Sequence, residues 1–88
     1  MPRYYFHLHD TAGVEDDEGT ELPDVAAARE YALANARDMV CGDVKNGFVD
    51  LGHRIEVVDE AGKVVLTLTF GEAFKIEHLE LTYGRPAG

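Results

Sequence analysis

Apolar and polar positions alternate from Arg3 to His9, with Tyr4, Phe6 and Leu8 on one side and Tyr5, His7 and His9 on the other. That period of two, filled with aromatic and branched side chains, predicts a strand with one buried face. Asp10-Thr11-Ala12-Gly13 is a turn signal, and the acidic, glycine-broken stretch over residues 14–22 has room for one short strand beside the first. From Val25 to about Asn46 the period becomes helical. At about 100° per residue, Val25, Ala28, Ala32, Ala36, Met39 and Val40 share an arc, Leu33 and Val44 lie at its edge, and Glu30, Arg37, Asp38 and Lys45 lie opposite. Asp24 is placed to cap the helix, and Gly47 stands where a left-handed glycine ends one, although Gly42 and Asp43 interrupt the last turns. Period two returns over Arg54 to Val58 and over residues 63–70, joined by Asp59-Glu60-Ala61-Gly62 as a tight hairpin. A helical turn is expected over residues 72–76, and Leu79, Leu81 and Tyr83 alternate once more.

These elements read as an α+β fold of β-α-β-β order. One long amphipathic helix packs on one face of a three- to four-stranded, mainly antiparallel sheet. Placing the third main strand between the other two makes every neighbouring pair antiparallel. Side-chain volume supports the layering: the sheet offers Phe6, Leu8, Ile55, Leu66, Leu68 and Phe70, and the helix answers mostly with alanine. The domain is expected to span residues 1–76. Residues 77–88 form a C-terminal extension, a short strand and then a loose end.

Composition narrows what such a domain does. At 88 residues the chain has length for one core. Seventeen acidic against eight basic residues give a net charge of -9, which disfavours nucleic-acid and anionic-membrane partners. A single cysteine rules out an internal disulfide, and no apolar run approaches the ~18 residues of a membrane span. The opening residues lack the order of a secretory signal, so a cytoplasmic location is expected.

The ordered phrases Pro2-Arg3-Tyr4-Tyr5-Phe6-His7-Leu8, Asp17-Glu18-Gly19-Thr20-Glu21-Leu22-Pro23-Asp24 with its alanine-rich helix, and Ile55-Glu56-Val57-Val58-Asp59-Glu60-Ala61-Gly62 resemble an uncharacterised family of short bacterial proteins, classed as a domain of unknown function. The resemblance covers about residues 2–76, implies a compact domain, and carries no chemistry with it. Tyr4-Tyr5, Gly19 and Leu22-Pro23-Asp24 also give an architectural likeness to the small acidic antitoxins of toxin–antitoxin pairs. The glycine-cysteine phrase common in those proteins and a DNA-binding tail are missing.

Candidate chemistry is sparse. His7 and His9 point the same way from one strand, and Glu56 on another is placed to share that face, the raw material of a metal site. A polar, solvated sheet face with Thr67 and Thr69 explains the same residues more simply, so no metal or other cofactor is expected. Glu15, Asp16, Asp17 and Glu18 before Gly19 suggest calcium, yet Val14 and Val25 occupy the positions where an EF-hand loop needs oxygen ligands. A solvated acidic loop ahead of a helix N-terminus is the better reading. The chain has no serine, Cys41 has no histidine near it in sequence, and each glycine stands alone at an element boundary. Serine triads, thiol catalysis and phosphate loops are thereby disfavoured. His53 and His78 read as loop or strand-end residues.

The expectation is a non-catalytic binding module that pairs with itself as a two-fold dimer. Its interface would use Tyr5, Val58 and Val65 of the uncovered sheet face together with Leu79, Leu81 and Tyr83. Two alternatives stand beside it: an antitoxin-like acidic inhibitor of a basic protein, and a metal-binding protein or metal-dependent enzyme using His7 and His9.

Overall fold

A computed structural model of the chain describes residues 1–10 and 13–75. Strands β1 (Arg3–His9) and β2 (Thr20–Glu21) precede helix α1 (Val25–Asn46); β3 (Arg54–Val58), β4 (Val64–Thr69) and a 3-10 turn at Phe70–Ala73 follow it. The strands form one sheet in the order β2-β1-β3-β4, antiparallel at every pair, with α1 packed on one face. The α+β architecture and β-α-β-β order expected from the periodicity are those of the protein.

The strand order differs from expectation. β3, not β4, lies beside β1, and the reason is in the glycine-broken stretch. Leu8 and Val14 exchange backbone hydrogen bonds of 2.8 and 2.9 Å, Tyr4 pairs with Thr20, and Leu22 N–H donates to Pro2 O at 3.0 Å. The chain has therefore returned to the start of β1 before the helix begins. α1 then carries it along β1, so β3 starts opposite His9 and runs back. The hairpin of β1 with β2 supplies the reversal that the expected order had assigned to the later strands.

Local signals fix the helix ends. Asp24 is extended and its carboxylate accepts from Ala27 N–H at 2.8 Å. At the other end Gly47 has φ 87°, Gly47 N–H donates to Val44 O, and Phe48 N–H donates to Asp43 O. That pair of bonds is a Schellman motif, and it needs the left-handed residue glycine provides. Ala28, Ala32, Leu33, Ala36 and Val40 are buried along the face that meets the sheet. Val25 and Val44, placed by the helical arc on or beside that face, are 42% and 62% exposed. A helix of 22 residues at about 1.5 Å each overhangs strands of five to seven residues at about 3.3 Å each, so its ends reach past the sheet.

Register aligns the core. Phe6 lies opposite Val57, Leu8 opposite Ile55, and Ile55 opposite Leu68, with Tyr4 and Phe70 closing the cluster. A bulge between Val57 and Val58 sets Val58 opposite Val64. Val65, expected on the uncovered face, consequently packs against the core cluster, and Val64 takes the place beside Val58. Leu79, Leu81, Tyr83 and the strand expected there lie outside the described residues.

Candidate functional site

The uncovered sheet face collects the polar chemistry. His7 and His9 project from β1, and Glu56 lies directly across from His7 on β3. The imidazole of His9 leans diagonally toward that carboxylate, with Nε2 3.4 Å from Glu56 Oε1. The sequence places these three on one face and the structure brings them together. With Gly13, Val14 and Glu15 they border an open recess of about 350 Å³.

The arrangement differs from a ligand set. His7 Nδ1 accepts a hydrogen bond from Asp16 N–H at 3.1 Å, which places the ring proton on Nε2. His9 Nε2 is shielded from solvent without a well-aligned hydrogen bond, its neighbour being the Glu56 carboxylate. Among the described residues, no group of three or more His, Cys, Asp and Glu side chains is placed to hold a metal ion. Chemically the cluster is a cross-strand contact of His9 with Glu56 beside a histidine that anchors a loop.

That loop is organised by Asp16, which the acidic run had hidden among its neighbours. Asp16 Oδ2 accepts from Phe6 N–H at 3.1 Å, and Oδ1 accepts from Glu18 N–H at 3.1 Å and Gly19 N–H at 3.0 Å. Burial works against its charged form. The three N–H donors, with the pull of His7, outweigh burial and hold the carboxyl below its ordinary value of 3.8. The readable signal was the Asp-x-x-Gly spacing of Asp16 and Gly19, a turn in which the side chain bonds the backbone ahead of it. Glu15, Asp17 and Glu18 are exposed, as a solvated loop requires.

The remaining candidates are dispersed. Cys41 is an exposed thiol on α1. His53 packs edge-on against Phe70 at 5.7 Å and sits 3.4 Å from Asp50 Oδ2. Of the expected interface residues, Tyr5 and Val58 pair across β1 and β3, and both are half-buried. Among the described residues, no helix is long and apolar enough to cross a membrane.

Fold and face together define a small α+β domain with one sheet face covered by a single helix and the other uncovered by the described residues. The chain belongs to the family described as "Domain of unknown function (DUF6894)", whose model matches residues 3–71 of the 88. No curated protein and no solved structure matches it. The family resemblance read from the ordered phrases is therefore shown, and the antitoxin likeness has no match behind it.

Proposed function

We propose that this domain is a non-catalytic, self-associating module that forms a two-fold dimer through the β4 edge of its sheet. The observation that carries this reading is the edge itself. β4 is the last strand in the order and bonds to β3 on one side. Its sequence, Val-Val-Leu-Thr-Leu-Thr, contains no charge and no proline, and Val64 is 46% exposed. Natural proteins guard a free edge with lysine, proline, a bulge or a cover, because unpaired N–H and C=O groups template further pairing. Here the bulge falls at the start of β4, so Leu66 to Thr69 keeps regular geometry.

A second copy satisfies this edge by antiparallel pairing about a two-fold axis, joining two four-stranded sheets and bringing the Tyr5, Val58 and Val64 faces into line. Light scattering on the full chain at micromolar concentration tests the proposal. A dimer mass is expected, and a monomer mass overturns it. The charge of -9 favours one second reading, an acidic inhibitor of a basic protein. That reading requires a monomer that captures a basic partner in stoichiometric amount.

A further inference from the structure

Where the end of α1, the following loop and the 3-10 turn meet, Val40, Val44, Val49, Leu51 and Phe74 line an open groove of about 210 Å³. Every lining side chain is apolar, yet Val44 is 62% and Leu51 37% exposed. The volume falls below the roughly 300–1,000 Å³ usual for small-molecule sites, and the walls offer no polar side chain to orient a ligand. Such a groove suits the apolar side chains of a polypeptide.

The chain brings that polypeptide to the groove's edge. Phe74 is one wall, and the backbone leading to it is pinned. Arg37 Nε donates to Ala73 O at 2.6 Å, Gly71 N–H donates to Leu51 O at 3.1 Å, and Ala73 is buried. Past this fixed exit the sequence carries Ile76, Leu79, Leu81 and Tyr83 among polar residues. Each residue of chain spans up to about 3.5 Å, so the segment over residues 76–83 is long enough to return to the groove. A segment tethered this closely has an effective concentration in the millimolar range, which a free second copy at micromolar protein does not match, and the filtered sample below separates it from the segment of a paired copy. The family match ends at residue 71, so the Phe74 wall and the segment beyond it both lie outside the matched stretch.

We infer that this groove is the docking site of the chain's own segment 76–83, with its apolar side chains seated against Val44, Val49 and Leu51. The contact stands apart from pairing through β4, which uses another surface and another measurement.

Nuclear Overhauser spectra of the full chain, with methyl groups isotope-labelled, test it directly. Cross-peaks are expected from the methyls of Val44, Val49 or Leu51 to those of Leu79 or Leu81 or to the Tyr83 ring. A mixed sample, in which labelled and unlabelled copies are combined and only contacts between copies pass the filter, is expected to lose them. Absence of these cross-peaks in the first sample overturns the proposal. Their persistence through the filter overturns it equally, because the segment would then come from the second copy.

Discussion

A single carboxylate organises the approach to the helix. Asp16 accepts from the N–H groups of Phe6, Glu18 and Gly19, while its own N–H bonds His7. Asp16→Asn keeps the shape but removes the charge, and it turns one of the two accepting oxygens into an NH2 donor that faces an N–H. Bonds to a charged acceptor are the stronger kind. The variant is expected to lose about 1–2 kcal/mol in urea unfolding at neutral pH, near the range for such bonds. The sign in pH follows from the direction of the shift. Because the folded carboxyl lies below 3.8, its stabilisation is present above that value and fades as pH falls through the folded pKa. Wild type and Asp16→Asn should therefore converge in strong acid; a gap that stays constant down to pH 2 would show that the charge contributes nothing. Gly19 is the partner in this turn. Its φ is 71°, and an added Cβ would stand 2.9 Å from Tyr4 O and 2.8 Å from Arg3 Cγ. Strain and collision act together there, so Gly19→Ala is expected to cost more than 2 kcal/mol, beyond the ~1 kcal/mol typical of point changes. An unchanged thermal midpoint would contradict that placement.

Among the elements, α1 meets the sheet through alanine. Ala28, Ala32 and Ala36 are fully buried, whereas Ala34 is exposed. Alanine there lets the helix lie close to Ile55, Val57 and Leu68, and the close approach leaves no room for a larger group. Ala32→Leu is expected to overpack and destabilise by about 1–3 kcal/mol, while Ala34→Leu costs little. Equal urea midpoints for the two would refute the assigned face. This face was legible because a helical period over 22 residues leaves one arc to bury, and the strands of β1 and β3 were legible from alternation. The strand order was not. It is decided by β2, whose two residues Thr20 and Glu21 are too few to show any period, and by backbone bonds such as Leu22 N–H to Pro2 O that no side chain announces. The position of Val65 was lost for a related reason, since a bulge shifts the register by one residue and moves a side chain to the other face. His7, His9 and Glu56 share a face by parity, but the expected order set β4 between β1 and β3, so their contact depends on the order the structure shows. The hydrogen bond that turns His7 into an anchor comes from a loop whose path could not be read in advance.

For the molecule as a whole, the two edges of the sheet differ among the described residues. β2 is short and ends beside the helix cap, while β4 runs six residues with only threonine and aliphatic side chains. The proposed pairing of two β4 strands would cover this edge, but it would also bring together two chains of charge -9, so association should strengthen as salt screens the repulsion. A charge placed on the edge itself should break the pairing. Thr67 is exposed on β4 and lies opposite Glu56, so Thr67→Lys gains an oppositely charged cross-strand neighbour inside the monomer. In the proposed dimer the same lysine would meet its own copy near the two-fold axis or lose water as the edges close, the device by which natural edge strands stay single. The variant is expected to give a monomer mass by light scattering, with a urea midpoint within about 0.5 kcal/mol of wild type in equivalent stability. A variant that is folded and still dimeric would place the interface somewhere other than β4, and a variant that is monomeric because it has unfolded is recognised by its lost helical circular dichroism. In that event Val64→Lys, at the exposed start of the same edge and opposite the uncharged Val58, repeats the test with the charge at another position.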